Sequence, residues 1–229
     1  MPSAFSLSVL LHNPWFAALS AGLRRDMLAA TERRHLQPGE MLFRQGHVPD
    51  GFYALLQGKL KMSTLNEDGR EAILTMLDVG TWFGEISLID GQPRTHDATA
   101  VGHAEILVMP PPVFGQLMEQ AEFAGAVARM LAARIRLLYG LVEDASLRSV
   151  RHRVARRLVL LSNSHIPVSH DGPAAIPVTQ ESLAMMLGIS RQSLSKELKF
   201  FEQQGALTLG YGQISLLSVA LLTRLSETD

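Results

Sequence analysis

Residues 82–100, Trp-Phe-Gly-Glu-Ile-Ser-Leu-Ile-Asp-Gly-Gln-Pro-Arg-Thr-His-Asp-Ala-Thr-Ala, carry the side chains needed to grip a ribose-linked phosphate. Gly84 has no side chain, so a ligand can approach the backbone there. Glu85, Ile86 and Ser87 are expected to open a short helical turn whose free N–H groups favour an anion. Arg94 offers a planar fork that pairs with phosphate in a bidentate way, and Thr95 adds a hydroxyl donor. Glu85 is the informative member. A carboxylate beside a phosphate is repulsive unless it accepts hydrogen bonds from sugar hydroxyls, which points to a nucleotide rather than a simple anion. The competing reading is a turn closed by a Glu85–Arg94 ion pair, with no ligand.

At these residues the sequence resembles the cAMP receptor protein/FNR family of bacterial transcription regulators. The match is Phe83-Gly84-Glu85-Ile86-Ser87-Leu88, then Gly91, then Pro93-Arg94-Thr95. The resemblance implies that Glu85 holds a ribose 2′-hydroxyl while Arg94 and Thr95 hold a cyclic phosphate. The implied effector is a cyclic nucleotide: cAMP first, with cGMP or cyclic di-GMP as alternatives. A vestigial pocket that binds nothing is the remaining alternative. Two departures bear on the base. Leu138-Tyr139 stands where the family's cAMP-binding prototype has a Thr-Ser pair for adenine, and His96-Asp97 follows the phosphate-binding hydroxyl. His96 is expected to pair locally with Asp97, or else to donate to the phosphate.

A second motif lies between Thr179 and Gln203. Thr179 can cap a helix with Gln180 and Glu181 in its first turn, Leu183, Ala184 and Leu187 facing inward, and Gly188 ending it. Ser190 can cap a second helix on which Leu194, Leu198 and Phe201 repeat at helical spacing. Arg191, Gln192, Ser195, Lys196 and Lys199 gather on its other face. This is a helix-turn-helix whose second helix would enter the major groove, with Thr179, Ser190 and those five residues as the DNA-binding set. Arginine suits the guanine edge and glutamine the adenine edge, while Lys199 is better placed for phosphate. The following pieces, Leu207–Leu209, Gly210-Tyr211-Gly212 and Ile214–Leu216, read as the wing of a winged helix.

The elements between the motifs fix the architecture. His12 to Thr31 reads as one or two amphipathic helices. From Glu32 to Met109 strand-sized apolar pieces recur between glycines, which suggests a small antiparallel β-roll. Glu122 to Ala145 reads as a long helix with Val127, Leu131, Arg134, Leu138, Leu141 and Ala145 spaced as a coiled-coil seam, broken only by Arg134. That seam packs on the β-roll or forms a dimer axis, and the resemblance favours the dimer. The expected fold is α+β: a jelly-roll-like β-roll sensor at 1–121, a dimerisation helix and hinge at 122–148, and a winged helix-turn-helix at 149–229.

Bulk properties narrow the function. Residues 1–145 carry 12 basic and 16 acidic side chains, whereas residues 146–229 carry 9 basic and 6 acidic. A mildly acidic front and a basic back suit a sensor joined to a polyanion binder. The absence of cysteine excludes disulfides, thiolate zinc sites and cysteine-held iron–sulfur clusters. The eight histidines are scattered with no His-x-His, which argues against a cupin metalloenzyme or a haem sensor, and no nucleophile–base arrangement is present. The expectation is therefore a DNA-binding regulator rather than an enzyme, without a metal. It would act as a homodimer on palindromic double-stranded DNA in the cytoplasm, having neither a basic leader nor a membrane span. By family analogy the loop 167–175 contacts RNA polymerase. The arginines at 148, 151, 153, 156 and 157 have three readings: a solvated helix face, DNA-phosphate contacts, or a site for a second anionic effector such as cyclic di-GMP.

Overall fold

Phe52 to Leu56 is apolar without alternation, and the computed structural model accounts for this: both faces of that strand are covered. The structure describes residues 4–67, 69, 71–164 and 174–227, and its contacts divide the chain into two units, Met1–Ile135 and Arg136–Asp229.

The first unit begins with helices α1 (Ala4–Leu11), α2 (Pro14–Ala17) and α3 (Ala21–Ala29). Of the one or two helices expected over His12–Thr31 the structure has two, α2 and α3, and α1 precedes them. The Asn13 side chain accepts a hydrogen bond from Trp15 N at 3.3 Å and Ser20 Oγ accepts one from Leu23 N at 3.3 Å, and each caps a new start.

Eight strands follow, β1 (Glu32–Leu36), β2 (Met41–Phe43), β3 (Phe52–Gln57), β4 (Leu60–Leu65), β5 (Glu71–Leu77), β6 (Trp82–Phe83), β7 (Asp97–Ala100) and β8 (Ala104–Met109). They form two antiparallel sheets, in the orders β1-β8-β3-β6 and β2-β7-β4-β5. Tyr53 and Leu55 join Leu42, Phe43, Leu60, Phe83 and Ile106 in one core cluster. Phe52, Ala54 and Leu56 join Phe16, Trp82 and residues of the helices in another.

A short helix α4 (Glu85–Asp90) lies between β6 and β7, and α5 (Pro111–Met118) follows β8. Strand β1 had no clear signal because Glu32-Arg33-Arg34-His35 is exposed. It is a charged edge strand, and Arg33 pairs with Glu105 across the ladder.

Helix α6 (Ala121–Leu147) runs slightly beyond the expected bounds. The seam assigned to it divides in two. Phe123, Ala126, Val127 and Met130 are buried in the chain's own core, with Leu131 packed against it, so this half cannot meet a partner. Beyond it Ile135, Leu138, Tyr139 and Val142 are exposed at i, i+3, i+4 and i+7, a continuous apolar stripe.

In the second unit Ser149 Oγ accepts from His152 N at 3.2 Å and caps α7 (Val150–Ser164). Helices α8 (Gln180–Leu187), α9 (Arg191–Gln203) and α10 (Val219–Ser226) surround a core of Val154, Leu158, Leu183, Leu194, Leu198, Phe201 and Leu222. The expected two-stranded wing, β10 (Leu207–Gly210) and β11 (Gln213–Leu216), gains a third strand, β9 (Ala174–Ile176), in the order β10-β11-β9. Of the loop assigned to RNA polymerase, residues 167–173 lie outside the described residues, and 174–175 open β9.

Between α6 and α7, Arg156 Nη1 bonds Asp144 Oδ1 at 2.5 Å, and a Cβ at Gly140 would lie 2.8 Å from Arg156 Nη2. Glycine there leaves room for the guanidinium.

Candidate functional site

Gly84 caps α4 at φ +93°, a left-handed conformation that suits only glycine. A Cβ there would also come within 2.9 Å of Tyr53 Cδ2 and 3.1 Å of both Arg94 Nη1 and the Gly51 carbonyl. This tight turn pulls Glu85 fully out of solvent, at 0% exposure. The Glu85–Arg94 ion pair weighed from sequence does not form. Glu85 Oε1 instead accepts a hydrogen bond from Arg134 of α6, which also donates to the Trp82 carbonyl. Glu85 Oε2 is buried without a partner.

Arg94 is 3% exposed, and its fork is held by the turn before β3. Nη1 donates to the Gly84 carbonyl at 2.8 Å; Nη2 donates to the Gly51 carbonyl at 2.8 Å and to Asp50 Oδ1 at 3.2 Å. The guanidinium lies over Phe43, 4.4 Å from the ring centroid. Tyr53 donates its hydroxyl to Asp50, and burial together with that bond pushes the phenol well above its ordinary value, so it stays protonated. Arg94 Nε, like Glu85 Oε2, is buried with no partner. An open cavity of about 560 Å³ is lined by Leu42, Phe43, Gly46, His47, Val48 and Asp50; Phe43 and Asp50 also touch Arg94, but neither Arg94 nor Glu85 belongs to its lining.

The other pocket residues take distinct positions. Ser87 Oγ donates to the Pro93 carbonyl at 3.2 Å and ties α4 to the loop before Arg94, whereas Ile86 is exposed. Thr95 is exposed, with Oγ1 hydrogen-bonded to His96 Nδ1 at 2.7 Å. The local His96–Asp97 pair is not made. Asp97 Oδ1 accepts instead from the Gln45 N–H at 2.7 Å. Burial first, and then the Arg94 charge, hold the imidazole below its ordinary value. The charges of Glu85, Asp97 and Arg134 act on it more weakly.

Asp50, Tyr53 and Arg134 are the residues that sequence reasoning missed. Arg134 alone left a signal, as a cation inside an apolar seam.

The helix-turn-helix matches its expected local chemistry. Thr179 Oγ1 accepts from Ser182 N at 3.0 Å, Gly188 ends α8 at φ +62°, and Ser190 Oγ accepts from Ser193 N at 3.1 Å. Thr179 and Ser190 are therefore occupied as caps. Arg191, Gln192, Lys196 and Lys199 are exposed and Ser195 is half-buried, while Leu194, Leu198 and Phe201 sit in the core.

The arginine cluster is not a uniformly solvated face. Arg151 bonds Glu197, Arg153 donates to the Leu187 carbonyl at the end of α8, Arg156 holds Asp144, and Arg157 is buried. Among the described residues no three acidic, histidine or cysteine side chains are grouped to hold a metal ion. No described helix is long and apolar enough to cross a membrane.

Residues 33–121 match the cyclic nucleotide-binding domain family and residues 152–225 the Crp-like helix-turn-helix domain family. The chain is 29% identical over 206 residues to a CRP-like cAMP-activated global transcriptional regulator of Mycobacterium tuberculosis, covering 84% of this chain and 89% of the relative. It is likewise 29% identical over 203 residues to the cyclic AMP receptor protein of Thermus thermophilus, covering 88% and 91%. Among solved structures, a CRP/FNR-family regulator from Thermus thermophilus superposes with a TM-score of 0.71 at 25% identity, covering 86% of this chain and 99% of that one. The c-di-GMP-responsive regulator CLP of Xanthomonas campestris shares the fold, with a TM-score of 0.73 at 22% identity over 87% of this chain and 100% of that one. A cyclic nucleotide-binding domain followed by a Crp-like helix-turn-helix domain, with these relatives along most of its length, makes this chain a transcription regulator of the Crp/Fnr family.

Proposed function

We propose that the chain is a cytoplasmic homodimer that binds palindromic DNA and is gated by cAMP at Gly84, Glu85, Arg94 and Thr95. The observation that carries this reading is the pair of buried, unpartnered polar atoms, Glu85 Oε2 and Arg94 Nε. A buried polar atom without a partner costs about 1–3 kcal/mol. One ligand with a hydroxyl for the carboxylate and a phosphate for the guanidinium relieves both costs, and a ribose 3′,5′-cyclic phosphate has that pairing. The names of the Mycobacterium and Thermus relatives favour cAMP as the base form. Leu138 and Tyr139 offer adenine no equivalent of the Thr-Ser pair, so the base rests on other contacts here.

A second effector, cyclic di-GMP, draws on the Xanthomonas neighbour and on the arginines near α7. Arg151, Arg153 and Arg156 are already engaged inside their own unit, which favours the mononucleotide. The exposed stripe Ile135, Leu138, Tyr139 and Val142 supports dimerisation through the second half of α6.

Calorimetry with cAMP, cGMP, 2′-deoxy-cAMP and cyclic di-GMP tests the pocket. Arg94→Ala should lose cAMP binding, and Glu85→Ala should weaken cAMP more than its 2′-deoxy analogue. Each charge-assisted bond removed corresponds to about 1.5–3 kcal/mol. Equal affinity of wild type and Arg94→Ala for every nucleotide would refute the site.

A further inference from the structure

The geometry points to Arg151 as a positioning residue that sets the roll of the DNA-reading helix through Glu197 and Phe200. Helix α9 carries one acidic side chain in its middle, Glu197, flanked in sequence by the exposed Lys196 and close to the exposed Lys199. Glu197 is 8% exposed and turned away from those lysines. Arg151, at the start of α7, donates from Nε to Glu197 Oε2 at 2.8 Å. The same guanidinium lies flat over the Phe200 ring, 4.0 Å from its centroid. Glu197 and Phe200 are three residues apart and so stand one above the other on one side of α9. Arg151 uses its edge on the first and its face on the second.

A planar group gripped in both ways resists rotation of α9 about its own axis. Leu194, Leu198 and Phe201 fix which face of the helix meets the core, through packing that makes no hydrogen bond. The brace adds direction. Side-chain tips lie about 6 Å from a helix axis, so a roll of about 10° moves them by about 1 Å. That is enough to take a bidentate arginine–guanine contact outside hydrogen-bond range. Phosphate contacts by flexible lysines tolerate the same shift. The brace therefore bears on base reading by Arg191 and Gln192 more than on general DNA affinity. It also balances a carboxylate on a helix that approaches a polyanion. Arg151 is thereby separated from the two roles its cluster suggested, phosphate contact and effector site.

The inference rests on the DNA-binding function, and the test separates the two. A duplex is first selected from randomised DNA by the full-length wild type, with and without cAMP; failure to select any duplex counts against the function itself. Binding of that duplex and of a scrambled one is then followed by fluorescence anisotropy over a range of salt. The proteins compared are wild type, Arg151→Gln, Glu197→Gln and the double variant. Charge alone predicts that Glu197→Gln tightens both duplexes. The brace predicts that Glu197→Gln and Arg151→Gln each lower the ratio of selected to scrambled affinity by about tenfold, with the double variant no worse than either.

If Arg151→Gln weakens both duplexes alike and flattens the salt dependence by about one phosphate, it is a backbone contact and the proposal falls. Unchanged discrimination in Glu197→Gln overturns it equally. Should Arg151→Gln not fold, Glu197→Gln and Phe200→Leu carry the same comparison.

Discussion

Replacing Arg134 with leucine tests whether Glu85 is a buried charge that depends on a single cation. Glu85 is fully buried and only one of its oxygens has a partner, supplied by Arg134. Losing one member of a fully buried pair costs about 3–5 kcal/mol, because the survivor is left uncompensated. The Arg134 side chain is 35% exposed, so water already screens part of the interaction. A loss of about 2–4 kcal/mol follows, including the bond to the Trp82 carbonyl. Both tryptophans of the chain, Trp15 and Trp82, lie in the first unit, whereas Tyr139 and Tyr211 lie in the second, so fluorescence excited selectively at tryptophan reports the first unit. With a urea dependence of about 2 kcal/mol/M, the midpoint should fall by about 1–2 M. Adding Glu85→Gln to Arg134→Leu removes the stranded charge and should restore most of the loss. A single variant within about 0.2 M of wild type, or a double variant no more stable than the single, refutes the reasoning.

Three further outcomes are expected. The His96 imidazole is held below its ordinary value, so the folded sensor binds fewer protons than the unfolded chain. This contribution is intact above about pH 6.5 and is lost as pH falls through the lower folded value; His96→Gln should flatten that part of a urea-midpoint series between about pH 7.5 and 5. Leu138→Asp puts charge in the exposed stripe of α6 and should yield monomers by sedimentation; an intact dimer would place the interface elsewhere. Arg191→Ala should cost about 1–3 kcal/mol and relax one guanine per half-site, whereas Lys199→Ala weakens all sequences alike; identical selected logos would show that Arg191 reads no base.

What the sequence made legible was what neighbours in sequence decide. The caps Thr179 and Ser190, the Gly188 stop and the apolar face of α9 are all settled within about four residues, and each appears where its chemistry puts it. The turn at Gly84 is equally local. The partners of its charged residues are not. Arg94 is held by Asp50 and Gly51, over 40 positions away, and Glu85 by Arg134, 49 positions away. Contacts at that separation depend on how two sheets and α6 stack, which no short pattern records. Asp97 likewise finds its hydrogen bond far off in sequence, at the Gln45 N–H 52 positions away, and not at the adjacent His96. Arg134 looked like a fault in a dimer seam because spacing alone cannot tell which half of a long helix its own core will cover.

Gly140, Asp144 and Arg156 bear on where the chain opens under thermal motion. Arg156 spans the helix break at Ser149 and fills the space above Gly140, so residues 140–156 are fastened into one cooperative opening unit. Residues 135–139 have no such fastening; all five side chains are exposed. A helical stretch without tertiary cover is only marginally stable in water. In an isolated chain, backbone amides should therefore exchange faster at 135–139 than at 140–156, even though the second stretch contains the visible break. A partner laid along Ile135, Leu138 and Val142 would slow exchange most in the first stretch, which has no cover of its own. Helicity between sensor and reader then becomes a function of protein concentration.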